Sequence, residues 1–429
     1  MISARLTKWN VGKFQGLMAE RASTKRPRQE KGLVPRLSTA TWLLVILMGL
    51  CVIGVVMVGS ASSVISMSFY GSPWSIFFKE LIWMVLGAIA LVITIRVDYQ
   101  KWRRWVPLVL AGTLVLLVFV LVPGLGVTSG GSSRWLGVGQ LRVQPSELMK
   151  LALALFGADL IAKRQQNGAS VRRMIGPLVV VAAIACALVI MQPDLGTAMV
   201  LMVITLALVF ASGVPKQIIL KGVLGTTVLV TIAAVAMPYR RERLLSFIDP
   251  GSTASGSGYQ VVQSLIGLGS GHLFGLGLGN SHEKWGLLPN AHTDFMFSII
   301  GEELGLIGAF MVIVLIGIFV LKGLRAAEQA PDGFGGLLAV GLISWIGAEA
   351  IINIGAVLGA LPVTGIPLLF ISFGGSSLII TMAAAGMLIN IARQGGATPK
   401  TGPKKKSSRA SSGNVRTPAR RTARPARAR

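Results

Sequence analysis

Long apolar runs recur along the chain and constrain its fold more than any other feature. Runs of about 18 to 25 residues have the length that an α-helix needs to cross about 30 Å of hydrocarbon. Within a bilayer every backbone polar group must find its partner inside the segment, so these runs are predicted to be helices. We count ten runs: 41–59, 77–95, 106–122, 145–162, 175–191, 197–213, 217–237, 295–321, 336–359 and 367–391. The sequence therefore predicts an all-α polytopic membrane protein of about ten transmembrane helices.

The composition agrees with this fold class and excludes most soluble ones. Hydrophobic residues make up 53% of the chain and charged residues only 13%, values that soluble globular proteins seldom reach. A basic stretch of 40 residues precedes the first apolar run, so we do not expect a cleaved signal peptide. Cys51 and Cys186 fall inside apolar runs, and we expect inert core thiols rather than a disulfide or a metal site.

Positive charge is distributed unevenly along the chain and predicts its orientation. The formal net charge is +25, with nine Lys or Arg residues in the first 40 positions and twelve from Arg393 onward. The connections at 60–76 and 360–366 contain none. Because Lys and Arg concentrate in cytoplasmic loops, both termini are predicted to be cytoplasmic, as an even number of spans allows.

The same patterns divide the chain into three parts. Residues 1–40 are predicted as a basic cytoplasmic segment, 41–393 as the ten-helix transmembrane domain, and 394–429 as a basic cytoplasmic tail. The tail cannot pack a core and is expected to be disordered. Nucleic acid would need the same positive charge, but we favour anionic lipid headgroups as the partner of the tail and predict no nucleic-acid binding.

Two long connections are predicted on the extracytoplasmic face. The first spans residues 123–144; the second spans 238–293, between predicted helices 7 and 8, and holds ten glycines between Gly251 and Gly286. This composition indicates tightly turned segments that lie on or dip into the membrane. Long ordered loops in compact proteins are usually functional, so we expect the chemistry on this face.

An arginine cluster near the start of the second loop allows two interpretations. Arg240, Arg241 and Arg243 follow a span on the side where the positive-inside rule disfavours them. They could form a tolerated solvent-facing cluster, since long loops escape that rule. They could equally bind an anion, because guanidinium groups hold phosphate oxygens through paired hydrogen bonds.

Ionisable residues inside spans are costly and indicate functional sites. Glu147 and Lys150 lie three residues apart, so they share one helix face and could pair. Arg134 precedes them in the first outer loop. Asp194 lies at a tight outer turn, where helix capping explains it at least as well as function does.

Four further carboxylates within predicted helices are harder to interpret. Asp159 and Glu349 are isolated, and the sequence reveals no partner for either. Glu302 and Glu303 are adjacent and point about 100° apart, so they cannot both face one cavity squarely. Either could simply pair with a neighbouring helix.

Asp294 stands where the second outer loop enters a predicted helix. It could merely cap that helix, but capping leaves unexplained the arginines, lysine and glutamates at the same membrane level. A carboxylate beside cationic groups could act as a general base or hold a divalent cation, Mg²⁺ or Mn²⁺, against a diphosphate. The ten-residue spacing of His272, His282 and His292 matches no helical zinc pattern.

An ordered series of motifs gives the chain a family resemblance. The motifs are "GSSRW", "QPSELMK", "QPDLGTA", "PYRRERLLSF", "GSGYQVVQSL", "GLGLGNS", "LPNAHTDFMFSIIGEELG" and "LPVTGIPLLFISFGGSS". In this order, and without large gaps over residues 41–393, they resemble the SEDS family (shape, elongation, division and sporulation). Within the family, the chain resembles the division branch more than the elongation branch.

The resemblance implies a peptidoglycan glycosyltransferase that polymerises lipid II in the bacterial plasma membrane, at the division septum. It implies an essential role for Asp294, the aspartate of the H-T-D-F motif. It implies substrate contacts for other motif residues: Arg134, Glu147, Lys150, Arg240, Arg243 and His292. It also implies a class B penicillin-binding transpeptidase and other divisome membrane proteins as partners. The family pattern has glutamine where this chain has Glu349.

The chemistry of such a reaction agrees with these residue types. An α-linked diphosphate becomes a β-1,4 bond, so the sugar carbon is inverted by a single displacement with a base on the attacking hydroxyl. Asp294 is the predicted base, or the ligand of a cation that orients the hydroxyl. Arg134, Lys150, Arg240 and Arg243 would neutralise the leaving diphosphate.

Two other functions compete with this prediction. A lipid II flippase or transporter also has buried charges on many helices, but it would place them along a path through the membrane rather than at the outer side. A non-catalytic division scaffold is the third possibility, and it leaves the charges around Asp294 unexplained.

Overall fold

The computed structural model describes residues 37–129, 132–138, 141–235, 247 and 258–397. The arginine cluster with Arg240 and Arg243 lies outside these ranges, as do residues 1–36 and 398–429, which hold nearly all of the predicted basic segments. The described helices are α1 (Thr39–Tyr70), α2 (Ser75–Arg96), α3 (Val106–Leu121), α4 (Pro145–Gln166), α5 (Val171–Met191), α6 (Leu195–Ala211), α7 (Lys216–Val235), α8 (Tyr259–Ser270), α9 (Met296–Gln329), α10 (Gly333–Val357) and α11 (Ser376–Ala397), with 3₁₀ turns at Tyr99–Arg104 and Glu283–Trp285.

Every helix in this described set except the short α8 coincides with one of the ten predicted apolar runs. By length and hydropathy, six of them (α1, α2, α5, α9, α10 and α11) can cross a membrane, and α3 and α6 are shorter apolar helices. Helices α4 and α7 complete the ten. The prediction of an all-α membrane fold with about ten spans is confirmed.

Helices α4 and α10 form the centre of the bundle. Helix α4 packs against α3, α5, α6, α10 and α11, and α10 packs against α4, α6, α9 and α11. Both helices are buried on most of their faces. Because other helices rather than lipid surround α4, it can carry Glu147, Lys150 and Asp159 as buried residues.

The first of the two long connections contains a small sheet that the sequence did not predict. Strands β1 (Gly126–Ser129), β2 (Ser132–Val138) and β3 (Leu141–Val143) pair antiparallel in the order β1-β2-β3. Leu136 pairs with Gly126 on one side and Val143 on the other. The sheet gives Arg134, on β2, a fixed backbone.

The last helix begins later than predicted, at Ser376 rather than at residue 367. Residues 358–375 are non-helical. Phe370 and Gly375 have positive φ values of 66 and 53, outside the right-handed helical region, so a regular helix cannot run from residue 367 to Ser376. Apolar composition alone could not distinguish this buried, irregular segment from a helix.

Helix α9 is interrupted near its start, where the glycine-rich loop (the described part of the second long connection, residues 258–293) contacts it. Gly305 has φ 69 and ψ −169 within the helix. The loop supplies replacement hydrogen bonds: Leu276 N donates to Glu302 O (2.9 Å), Gly277 N donates to Glu303 O (3.0 Å), and Leu306 N donates to His272 O (2.9 Å). The loop is therefore joined to the helix by backbone contacts.

Asp159, near the end of α4, lies in an ion cluster away from the glycine-rich loop. The cluster supplies the partners that sequence analysis did not identify. Arg103 Nε lies 2.7 Å from Asp159 Oδ1, and Lys163 Nζ lies 2.6 Å from Asp159 Oδ2. The Arg103 guanidinium also lies 4.8 Å from the centre of the Phe334 ring. This cluster ties the 3₁₀ turn to α4 and to the start of α10.

Gly275 and Gly279 offer a matched test of the close contact between the loop and α9. Both have φ +82, but a Cβ on Gly275 would lie 2.1 Å from Glu303 O, whereas a Cβ on Gly279 meets nothing within 4 Å. Alanine at either site should cost roughly 1 kcal/mol for the left-handed backbone, and Gly275→Ala should cost about 1–3 kcal/mol more from overpacking. Thermal unfolding in detergent should show the lower Tm for Gly275→Ala; equal losses for the two variants would contradict the contact.

Candidate active site

Asp294 lies in the tight turn that leads into α9. Thr293 N and Asp294 N both donate to Asn290 O at 3.1 Å, and Asn290 has a positive φ of 57. Phe295 follows Asp294 and is buried, whereas Asp294 itself is partly exposed. The buried neighbour anchors the turn, so the carboxylate is held at the border of the packed bundle.

Two other segments fix the backbone of this turn. Asn353 Nδ2, on α10, donates to Asp294 O and to Ile366 O, both at 2.7 Å. Phe373 N donates to His292 O at 3.0 Å, and the His292 and Phe373 rings are 5.9 Å apart. The turn therefore depends on the non-helical segment between α10 and α11.

Arg134 approaches Asp294 from the small sheet. Its Nε donates to Gln192 O at 3.2 Å and its Nη2 to Pro193 O, so the guanidinium is fixed against the turn between α5 and α6. A Cβ placed on Gly365 would lie 3.5 Å from Asp294 Oδ2 and 4.0 Å from Arg134 Nη1. The aspartate and the arginine thus border one small space, which Gly365 leaves open.

Asp194 caps helix α6, as one of its two interpretations had it. Its carboxylate accepts from Thr197 N at 3.1 Å and from Thr197 Oγ1 at 2.8 Å. It also accepts from Gln144 Nε2 at 3.2 Å, and Gln144 N donates to Ser376 Oγ at 3.2 Å. These bonds join the starts of α4, α6 and α11 close to Arg134.

Lys150 lies in a buried ion cluster between α4 and α10. Its Nζ donates to Glu147 Oε1 at 2.7 Å and also to Glu349 Oε1. Ser377 Oγ donates to Glu147 Oε2 at 2.8 Å, and Nζ lies 5.1 Å from the Trp345 ring centre. Lys150 and Glu349 are both 1% exposed. Glu349 therefore has a partner, which sequence analysis missed because the two residues are 199 positions apart.

Glu302 and Glu303 both hold the glycine-rich loop, and both accept a hydrogen bond from Ser281. Glu302 accepts from Ser281 Oγ and from His282 N, the latter at 2.7 Å. Glu303 accepts from Ser60 Oγ of α1 at 2.6 and 2.8 Å, and Lys284 Nζ lies 3.7 Å from it. The two glutamates are therefore structural contacts of the loop and of a neighbouring helix.

A third buried carboxylate, which sequence analysis did not single out, lies beside this pair. Glu283 is 2% exposed, and a Cβ on Gly267 would lie 2.9 Å from its Cγ. Burial, and secondarily the charge of Glu302, raises the pKa of Glu283 to about 7. No sequence signal could have identified it, since an exposed loop glutamate would read the same.

Among the described residues, no three His, Cys, Asp or Glu side chains are grouped so as to hold a metal ion. Asp294 could still supply one carboxylate to Mg²⁺ or Mn²⁺, with phosphate oxygens and water as the other ligands, which is a usual arrangement for Mg²⁺. The three histidines are not part of a zinc group within this described set.

Comparison with known sequences matches residues 41–396 to the FtsW/RodA/SpoVE family, described as cell cycle proteins. Stage V sporulation protein E of Bacillus subtilis is 41% identical over 82% of this chain and 96% of its own length. The probable peptidoglycan glycosyltransferase FtsW of Geobacter metallireducens is 37% identical over 83% and 95%. The protein of the same name from Mycobacterium tuberculosis is 41% identical over 87% and 72%.

Solved structures are similar over most of the chain. A chain of a peptidoglycan synthase complex that coordinates polymerization and crosslinking aligns with TM-score 0.68 and 26% identity, over 82% of this chain and 97% of that one. The rod shape determining protein RodA of Thermus thermophilus aligns with TM-score 0.61 and 25% identity, over 82% and 96%. The chain therefore belongs to the FtsW/RodA/SpoVE family of cell cycle proteins, the SEDS family that its motifs resemble.

Proposed function

We propose that this chain is a peptidoglycan glycosyltransferase that polymerises lipid II during septal wall synthesis. Its relatives at about 37–41% identity include proteins named probable peptidoglycan glycosyltransferase FtsW. The observation that carries the proposal is the partly exposed Asp294 carboxylate, which shares the space beside Gly365 with the Arg134 guanidinium. An acid group and a fixed cation at one opening suit a reaction in which a proton leaves and a negative charge develops.

The reaction follows from these two groups. The acceptor hydroxyl oxygen bonds to the anomeric carbon from the face opposite the diphosphate, and the bond between that carbon and the diphosphate oxygen breaks. Asp294 accepts the hydroxyl proton. Arg134 stabilises the charge that develops on the departing polyprenyl diphosphate, and its backbone contacts with Gln192 and Pro193 hold it ready. A divalent cation at Asp294, when bound, would neutralise part of the diphosphate charge.

Lys150 has a different role in this proposal from the one that the sequence suggested. Its ammonium is buried and paired with two carboxylates, which supports a positioning role more than contact with the diphosphate. Glu147 shares that role through its bonds to Lys150 and Ser377. Diphosphate contacts by Arg240 and Arg243 stay predictions, since both lie outside the described residues.

His292 is proposed to contact the substrate as a neutral ring. It lies beside Asp294 in the same turn, and burial lowers its pKa to about 4. A neutral imidazole can donate or accept a hydrogen bond with a sugar but adds no charge for the diphosphate.

A class B penicillin-binding transpeptidase is the proposed partner, with other divisome membrane proteins around it. The likeness to a chain of a solved peptidoglycan synthase complex supports an assembly of this kind. Binding of the tail to anionic lipids is a separate prediction from its charge. We also propose that the turn at residues 71–74 and Asp294 face the extracytoplasmic side, as the Lys and Arg distribution indicates.

A flippase and a scaffold make different predictions from a polymerase for one substitution. Asp294→Asn should lower lipid II polymerisation by about 10²–10⁴-fold, the usual contribution of a general base. The assay uses purified full-length chain with its transpeptidase, and Asp332→Asn is the control. Asp332 caps α10 at the other end of the bundle by accepting from Gly335 N at 2.6 Å, so its loss should leave the rate nearly unchanged.

The Asp294→Asn protein should keep its Tm and still co-purify with the transpeptidase. Undiminished polymerisation would remove the catalytic role of Asp294. Failure of the wild-type chain to co-purify would instead contradict the proposed partner.

Orientation can be tested with single added cysteines, because Cys51 and Cys186 are both buried and free. Trp74 lies in the exposed turn between α1 and α2, and Asn167 lies in the exposed turn between α4 and α5. Each is replaced by cysteine in a separate variant. A membrane-impermeant maleimide added to intact cells should label Trp74→Cys and spare Asn167→Cys. Permeabilisation should expose both, and the reverse pattern in intact cells would place Asp294 on the cytoplasmic side.

The neutral state of His292 predicts a pH dependence of stability. Its pKa falls from 6.5 to about 4 on folding, so between these pH values the folded chain binds fewer protons than the unfolded chain. Stability should therefore be lost as pH falls from 6.5 towards 4, by up to about 1.4 kcal/mol per pH unit from this group. The Tm of wild type minus that of His292→Phe should decrease over this range and be constant above it. A difference independent of pH would contradict the neutral ring.

A further inference from the structure

Two polar residues on α10, one turn apart, connect the buried ion cluster to the Asp294 turn. Glu349 accepts from Lys150 on α4. Asn353 donates to Asp294 O and Ile366 O. Residues four positions apart share one helix face, at a rise of about 6 Å along the axis. The two contacts are therefore made by one rigid stretch of helix.

The ion cluster fixes this part of α10 in both height and rotation. Lys150 Nζ bonds Glu349 and also lies over the ring of Trp345, one turn earlier on α10. The same ammonium bonds Glu147 on its own helix, and Glu147 accepts from Ser377 on α11. A rotation or a slide of α10 would break the contacts of Glu349 and Trp345 with Lys150, which is itself held on α4 by Glu147, and few alternatives exist inside a packed core.

Asn353 links the fixed part of α10 to the turn that carries Asp294. Its amide nitrogen has two hydrogens, and both are used, each on a carbonyl from a different non-helical segment. Asn353 is 2% exposed, so water cannot readily replace either bond. A shift of α10 of about 1 Å would therefore move the Asp294 turn relative to Arg134 and Gly365, and misplacement on that scale costs about 10²-fold in rate.

We propose that Glu349 is a positioning residue for the glycosyl transfer, acting through α10 and Asn353 on the placement of Asp294. This inference rests on the proposed function, because it assigns Glu349 a role in the same reaction. Glu349 does not touch the substrate. Its carboxylate oxygen accepts a hydrogen bond from Lys150. That bond fixes the position of α10 relative to α4.

The test compares two substitutions at Glu349 in the purified full-length chain with its transpeptidase, using lipid II as substrate. Glu349→Gln keeps an oxygen that can accept from Lys150, whereas Glu349→Leu keeps the bulk and loses the acceptor. We expect Glu349→Leu to lower kcat about tenfold or more with KM within about twofold, and Glu349→Gln to stay within about threefold of wild type in kcat. Asn353→Ala should lower kcat by about 10²-fold.

Asp159→Leu, which likewise removes a buried acceptor, is the matched control for a merely structural effect. Asp159 is another buried carboxylate of the bundle that bridges to two cations, Arg103 and Lys163, at the far end of α4. Its substitution should lower the Tm about as much as Glu349→Leu does, while kcat stays within about twofold of wild type. The double variant Glu349→Leu/Asn353→Ala should have the kcat of Asn353→Ala alone, because both changes release the same turn.

Three results would overturn the inference while leaving the proposed function intact. They are an unchanged kcat in Glu349→Leu, additive losses in the double variant, and an equal loss of kcat in Asp159→Leu. Each of them requires that Asp294→Asn is inactive in the same assay. If Asp294→Asn polymerises lipid II normally, the proposed function itself fails and the role of Glu349 fails with it.

Discussion

Non-helical backbone packed among membrane-spanning helices must find its hydrogen-bond partners within the protein, and this requirement organises the part of the molecule around Asp294. Residues 358–375 meet it with side chains and neighbouring loops: Asn353 donates to Ile366 O, and Ser372 Oγ accepts from Leu368 N. Phe373 N, in the same segment, donates to His292 O. Asn353 also donates to Asp294 O, so Asn353 and Phe373 each bind both this segment and the turn with Asp294. Contacts that satisfy the non-helical backbone therefore also position the carboxylate.

The buried ion cluster is better understood as a device for position than for stability. Desolvating two carboxylates and an ammonium is expensive, and such pairs seldom stabilise a fold more than apolar residues would. Once made, however, the bonds from Lys150 to Glu147 and Glu349 admit few alternative geometries, since breaking either one leaves a charge buried without a partner. The cluster therefore discriminates strongly between the observed packing of α4 on α10 and a shifted one.

Local pattern predicted the parts of the site that lie close together in the chain. Spacing of three residues placed Glu147 beside Lys150, and the tight turn at Asp194 indicated a helix cap, which Thr197 completes. Contacts across the fold were beyond prediction, because Lys150, the partner of Glu349, and Arg103, one partner of Asp159, are distant in sequence from these carboxylates. Lys163, the other partner of Asp159, lies four residues along the same helix, so its spacing could have indicated that pair. The break in α9, the sheet around Arg134 and the irregular segment before α11 likewise depend on tertiary hydrogen bonds that composition does not encode.

Two carboxylates near the start of α9 have a structural role rather than a catalytic one. Glu302 and Glu303 use their oxygens on Ser281, His282 and Ser60, so they serve the glycine-rich loop rather than the reaction.

A carrier would have to move its charges through alternative arrangements of comparable free energy. Here the Lys150 cluster joins three helices, and opening it would leave buried charges without partners, so the centre of the bundle resists such movement. Asp294 and Arg134, by contrast, are partly exposed at the rim of that rigid centre. A rigid core that carries a partly exposed aspartate and arginine at its rim is suited to bond exchange there, because preorganised charges stabilise a transition state without moving.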